Sequence, residues 1–533
     1  MSAPITKVPV LVVGAGPAGL ATAIGLGRNG VQSMVVERHP GTSIFPKASG
    51  ISTRTMEIVR SWGLESAARA HSLEMQPFMS VRPTLTGPQL GMAPLGFPTA
   101  EQAAAVSPTR PALIPQDRLE PVLLQHAIEL GVDVRFSTQL VSLDQDDATV
   151  TATVCSVDGG PCTTIRADYV VGADGTRSTV RGLLGIDAHG PTDLGDYVTV
   201  LFRAELSSQL KEPPFGLYQL AGPVPGVLVP TGPDDRWVLG LQWNPKEESF
   251  EDYTPERCVA LIRGATGVPD LDVELIATMP IEFVAQAADR TREGRTFLIG
   301  DAAHRMPPFG GRGLNTAVAD AFGLSWKLAW VLRGWADAAL LDAHVQERDP
   351  VGRHNLSLAA QRSEGGTPDG LTEDLGYIYR STAIDASPAV GEPAPSLLFP
   401  TVATPGARMP HAWLEGPDGS ISTLDLVGPG LTLLTGPGGH AWLDAAAAIA
   451  PNVLFTLNAY LVGAELDSRD GTFCERFGLG SDGAVLVRPD GHIAWRVEAG
   501  SVTDHVVALG DAVARATARR AGIDGGREVA MAA

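Results

Sequence analysis

The stretch that most restricts how this chain can fold is near its start: "VPVLVVGAGPAGLATAIGLGRNGVQSMVVER". Val8 to Val13 read as a buried strand, Pro17 to about Asn29 as a helix, and the residues up to Glu37 as a second strand. Gly14, Gly16 and Gly19 stand between the first strand and the helix in the order G-x-G-x-x-G. In that setting the first glycine permits a tight turn, the second lets backbone approach a pyrophosphate, and the third lets the helix pack on the strand. Pro17 and Ala18 complete the helix start, which offers unpaired N–H groups and a partial positive charge to an anion. Glu37, 18 positions after Gly19 and followed by Arg38, falls where a carboxylate can accept hydrogen bonds from an adenosine ribose. The pattern predicts a Rossmann-like α/β unit for an adenine dinucleotide and does not separate NAD from FAD.

With 533 residues the chain exceeds what one hydrophobic core serves, so two or three domains are expected. A net charge of -20 argues against nucleic acid or an anionic membrane surface as partner. No uninterrupted apolar run reaches ~18 residues, so no membrane span is expected, and glycines and Pro17 break the N-terminal apolar run where a signal peptide would be continuous. The four cysteines, Cys155, Cys162, Cys258 and Cys474, form neither C-x-x-C nor a metal-ligand cluster. They read as reduced thiols of a cytoplasmic protein with no metal. Cys155 and Cys162 face each other across a hairpin through "SVDGGP", without pairing being implied.

Two later stretches are also strand, turn and helix. "ADYVVGADGTRSTVRGLLG" places Asp174 at a strand end, and "TFLIGDAAHRMPPFGGRGLN" places Gly300 and Asp301 before a proline- and glycine-rich loop and a long helix. These motifs, in this order over roughly the first 350 residues, resemble those of the flavoprotein aromatic hydroxylases of the para-hydroxybenzoate hydroxylase family. The resemblance implies non-covalent FAD, NADPH or NADH as a transient co-substrate, and transfer of one oxygen atom from dioxygen through a C4a-hydroperoxyflavin. It implies that Asp301 binds the ribityl chain, that the Gly311, Gly313, Leu314 and Asn315 backbone faces the N1–C2=O edge of the flavin, and that Asp174 lies near the pyrophosphate. Gln116 matches a segment whose glutamine touches the cofactor, with Arg118 beside it. Lys47 stands where the family usually has arginine, which keeps the charge but loses bidentate bonding; Arg54 is an alternative helper or a surface residue. His304 is expected to order its loop, and no catalytic base is identified. There is no second strand-G-x-G-x-x-G-helix unit for the nicotinamide cofactor.

Between these motifs, "DYVTVLFRAEL", "PPFGLYQLAGPVPGVLVPT" and "DRWVLGLQWNP" read as antiparallel strands, with Trp237, Leu239, Leu241 and Trp243 on one face. Phe202, Tyr218 and Trp243, with Pro308 and Phe309 of the later loop, are the substrate-pocket candidates, and ordinary sheet core is the competing reading for the three sheet aromatics. After a proline-rich linker the chain resembles the C-terminal thioredoxin-like domain of the larger hydroxylases that tailor aromatic polyketides, carrying "PHAWL" and "VLVRPDGHIAWR" but no C-x-x-C, with Cys474 alone. A structural or dimer-contact role is expected there, with a homodimer as the partner state. The expected architecture is α/β: a Rossmann-like FAD-binding domain (1–185 and 280–390), an inserted mixed or antiparallel sheet domain for substrate (186–279, with a contribution from 75–110), and a thioredoxin-like C-terminal domain (391–533). The implied activity is hydroxylation of a phenolic polycyclic substrate. Baeyer–Villiger insertion beside a ketone, hydroxylating inactivation of an antibiotic, and non-catalytic flavin binding remain the alternatives.

Overall fold

The computed structural model describes residues 5–210, 213–362, 370–385, 402–464, 466–468 and 471–519; most of the expected linker, 386–401, lies outside them. The chain divides into two compact units, one of Met1–Ser325 with Arg348–Gly376, the other of Trp326–Glu347 with Tyr377–Ala533.

The first unit is organised by a sheet whose central strands run parallel in the order Thr296–Leu298, Cys162–Gly172, Ile5–Val13, Ser33–Val36 and Asp133–Arg135. Val10, Leu11, Val12 and Val35 are buried on both faces, which is why these strands are continuous apolar runs. The helix Pro17–Arg28 starts on proline, whose missing N–H costs nothing there, and ends at Asn29 before Gly30 in the left-handed region. It lies close to the helix Arg312–Leu332 because Gly25 has no side chain: a Cβ there would stand 2.0 Å from Ser325 Oγ.

Cys155 and Cys162 are directly opposed in the antiparallel pairing of Val150–Ser156 with Cys162–Gly172. Their Cα atoms are 4.1 Å apart and the two are joined as a disulfide, which corrects the expectation of four reduced thiols; Cys258 and Cys474 are free.

A second sheet in the same unit has seven strands in the order Glu274–Glu282, Asp196–Arg203, Arg236–Trp243, Gly226–Pro230, Phe215–Leu220, Gln76–Arg82 and Gly91–Pro94. The strand Gln76–Arg82 joins in parallel to Phe215–Leu220. The first strand runs on through residue 282, so the expected boundary at 279/280 would cut it.

The second unit contains a four-stranded sheet, Leu457–Leu461, Leu431–Thr435, Ala484–Val487 and Ile493–Val497, with the first pair parallel and the rest antiparallel. Trp326, Trp330, Leu340 and Ala343 are buried in one core with Leu431, Leu433 and Trp442. That core groups Trp326–Glu347 with this compact unit, inside the range 280–390 expected for the FAD-binding segment. Inside the unit, Glu347 accepts both Nη atoms of Arg488 (2.6 and 2.9 Å) and Lys327 Nζ (2.9 Å), and Asp490 pairs with Arg488 at 2.5 Å. All four side chains are at most 2% exposed. Burial pushes the Glu347 carboxyl up, but Arg488 and Lys327 outweigh it and hold it at about 2. Glu347→Ala leaves two cations buried against one acid and is expected to cost about 3–5 kcal/mol of unfolding free energy, measured by denaturant titration at pH 7. Because the native carboxyl is depressed, the wild-type contribution is present above the unfolded value near 4.5 and lost as pH falls toward 2.

Candidate active site

Sheet register brings the three motifs together. Val13 is paired with Gly172 and with Val36, and Gly172 with Leu298. The residues that follow each strand, Gly14, Glu37, Asp174 and Gly300 with Asp301, therefore stand side by side at the carboxyl edge of one parallel sheet, where open α/β sheets bind ligands. Backbone bonds lock the turns: Gly14 N donates to Val36 O (2.8 Å), Ala173 N to Val13 O (2.8 Å) and Ile299 N to Gly172 O (3.0 Å).

The glycine turn has no room for side chains where it meets its neighbours. Gly14 has φ +106° and a Cβ on it would lie 2.3 Å from Ala173 O, while one on Gly19 would lie 1.9 Å from Gly14 O. Gly16 is the opposite case, with nothing within 4 Å of its Cβ position. A cradle closed behind and open in front fits a phosphate group approaching backbone N–H. Glu37 ties the turn from the next strand, accepting from Ala15 N (2.8 Å) and His39 N (2.9 Å). Arg38 and Lys47 are exposed. Asp174 accepts from Ser178 Oγ (2.5 Å) and Val180 N (3.0 Å), anchoring the helix Thr179–Leu183, and its carboxyl is raised by desolvation against those bonds.

Asp301 differs from these acids. Its side chain is accessible, and it makes no hydrogen bond or ion pair with any described residue. Enough protein surrounds it to push its carboxyl up by desolvation, against the charges of His304, Lys47 and Arg305. It is an ionisable acceptor at the carboxyl edge of the sheet with its bonding capacity unused. Above it begins the helix Arg312–Leu332: a Cβ on Gly313 would lie 3.9 Å from Asp301 Oδ1. Gly310 and Gly311 precede this helix with positive φ, Leu314 is buried, and Asn315 clamps the helix start by accepting from Ser52 N (2.9 Å) and donating to Gly50 O (2.9 Å) and Gly311 O (2.6 Å). Asp374 accepts from Ser52 Oγ (2.7 Å) and Arg54 N (2.8 Å) and is raised to about 6, chiefly by burial. On the other side Gln116 donates to Glu120 (2.7 Å), which also accepts from Ser43 N (2.6 Å) and so fixes the segment carrying Phe45 and Lys47.

Residues 7–359 match the family model described as FAD binding domain, and residues 402–519 match aromatic-ring hydroxylase, C-terminal. The chain belongs to the FAD-dependent aromatic hydroxylases. It is 41% identical over 521 residues to a putative polyketide hydroxylase of Streptomyces halstedii (92% of this chain, 94% of the relative). It is 41% identical over 519 residues to aklavinone 12-hydroxylase RdmE of Streptomyces purpurascens (92% and 96%). Its fold superimposes with a TM-score of 0.87, at 39% identity and over 96% and 99% of the two chains, on a ternary complex of aklavinone-11 hydroxylase with FAD and aklavinone.

In this hydroxylase two of the expected sheet aromatics, Phe202 and Tyr218, are buried in the sheet core and at most 1% exposed, and the third, Trp243, packs against it. The core also holds Cys258, Ile262 and Ala265 of the helix Pro255–Thr266, and Trp243 Nε1 donates to Glu248 O (3.0 Å). The alternation was legible, but the bulky face is the one that the helix covers. The opposite face carries Tyr197, Thr199, Leu201, Val238, Gly240 and Met279 in register, and there Phe45 packs against Leu201 and Val238. An aromatic row links it to the Pro308–Phe309 loop: Tyr197 stacks on Phe283 at 4.2 Å, and Phe283 meets Phe309 edge-on at 5.7 Å. Phe45, Tyr197 and Phe283 escaped the sequence reading; the signal available was Gly240 and Thr199, small residues on the less apolar face. Gly19→Ala is expected to abolish retention of the flavin and to lower thermal stability, since its Cβ meets backbone that cannot turn aside; absorbance near 450 nm per folded protein and a melting curve check both.

Proposed function

We propose that the recess at the sheet edge holds FAD through Gly14, Gly16, Pro17, Ala18, Gly19, Glu37, Arg38, Lys47, Gln116, Asp174, Gly300, Asp301, Pro308 and the Gly311, Gly313, Leu314 and Asn315 backbone, and that the enzyme hydroxylates a phenolic, polycyclic aromatic polyketide with NADPH or NADH and dioxygen. The observation that carries this is the unbonded Asp301 carboxylate at the sheet edge beside the start of the helix Arg312–Leu332, an acceptor matched to ribityl hydroxyls. The cofactor, when bound, supplies activation of dioxygen for transfer of one oxygen atom to an electron-rich ring. The protein's share is placement. The helix start at Arg312 favours negative charge by about 0.3–1 kcal/mol, and up to ~2 where partly buried. Tyr197, Phe283 and Phe309 offer flat apolar surface to a fused-ring substrate and keep water from it.

The polycyclic substrate is supported by the aklavinone complex of the structural neighbour and by the relatives' polyketide chemistry. The C-terminal unit reads as thioredoxin-like, supported by a parallel strand pair with the helix His440–Ile449 between its strands. Gly436-Pro437-Gly438-Gly439 fills the strand-to-helix turn where a dithiol would be needed, so its role is structural.

Purified protein supplied with FAD, NADPH or NADH, labelled dioxygen and a panel of polycyclic phenols is expected to yield a product carrying one labelled oxygen; peroxide release with no labelled product across the panel would count against the substrate class. Asp301→Asn is expected to weaken FAD binding about tenfold or more while leaving the melting point of the flavin-free protein unchanged, because Asp301 bonds to nothing there. Since its carboxyl is raised, wild-type FAD affinity should fall on acidification at a pH above the ordinary 3.8.

A further inference from the structure

Behind the Gly300–Asp301 turn lies a set of charged groups that are not among the residues proposed to hold FAD. His304, Asp320 and Arg348 are 6%, 3% and 4% exposed. Asp320, on the helix Arg312–Leu332, accepts from Gly300 N at 3.2 Å, from His304 Nε2 at 2.7 Å and from Arg348 Nε at 2.8 Å. One carboxylate thus fastens the turn, its histidine and the helix Leu340–Arg362, which supplies Arg348. The imidazole is fitted into that helix: a Cβ on Gly352 would lie 2.9 Å from His304 Cδ2. Its Nδ1 is buried without a hydrogen-bond partner.

We propose that His304 is a positioning residue of the cofactor site, held by Asp320 directly behind the turn that presents Asp301. Asp320 and Arg348 alone make a neutral pair, so a protonated His304 adds a positive charge to the interior. The charged groups that face it are Asp320 and Arg348 from the two helices, Asp301 from its own loop, and Asp349, which is bonded to Thr291 Oγ1 at 2.5 Å. Burial alone would lower the imidazole; Asp320, by charge and hydrogen bond, and then Asp301 outweigh it and leave it raised. His304 is in turn the first of the charges that favour ionised Asp301, ahead of Lys47 and Arg305. Without it, desolvation of Asp301 acts with less opposition and the carboxylate takes up a proton nearer neutral pH.

The inference rests on Asp301 binding FAD, and the test separates the two. FAD dissociation constants are measured by flavin fluorescence on flavin-free wild type, His304→Gln and Asp320→Asn from pH 5 to 9. His304→Gln removes the charge; Asp320→Asn keeps the ring but removes the anion that holds its proton, and serves if the first variant does not fold. Both are expected to move the acid-side loss of affinity upward by about one pH unit, so that binding is weakened by up to about tenfold at the acid end of the range and little changed at pH 9. A weakening equal at every pH, or unchanged constants and profile, overturns the positioning role. Wild type that binds no FAD overturns the cofactor reading instead.

Discussion

Everything at the site depends on the register of four parallel strands. Pairing Val13 with Gly172 and Val36, and Gly172 with Leu298, brings together residues more than 280 positions apart in sequence. A slip of one residue would turn each strand's side chains to the other face and take Asp301 away from the glycine turn. The register is held because both faces are buried and because each turn donates a backbone N–H to its neighbour. The turns accordingly have little freedom, and the glycines within them are spaces that neighbouring carbonyls already fill.

The nucleotide-binding half was legible in the sequence for physical reasons. Parallel strands are apolar throughout, glycine is required where backbone meets backbone, and an acid at a strand end is conspicuous. The sequence also separated Asp301 from a general helix-flanking acid only through its resemblance to a family; that its carboxylate is unbonded is visible only in three dimensions. Asp174 had the opposite outcome. Its place beside Gly14 agrees with its motif, and its carboxylate is occupied by Ser178 and Val180.

Other features lay beyond spacing arguments. Period two sorted Trp237, Leu239 and Leu241 onto one face, but which face a helix will cover depends on a partner that alternation does not name. The division between the units was hidden for a similar reason: Trp326 and Trp330 continue an apolar helix without interruption, and only their shared core with Leu431 and Trp442 assigns them. Cys155 and Cys162 show how far a hairpin reading reaches. Seven residues of separation gave the opposition, and the register gave the bond.

The distance along the chain between the parts of the site affects synthesis. The glycine turn leaves the ribosome first, the strand Gln76–Arg82 waits for Phe215–Leu220 and the seven-stranded sheet for its edge strand ending at Glu282, and Asp301 emerges last. Contacts of such separation are slow to form, because closure entropy must be met before any of them stabilises the chain. A nascent chain shorter than about 300 residues carries half of a flavin site and exposes its unpaired strands. In the cell, cofactor supply then acts on this protein part-way through synthesis, as a ligand that draws together the first 300 of 533 residues while the four-stranded sheet of the second unit is still to be made.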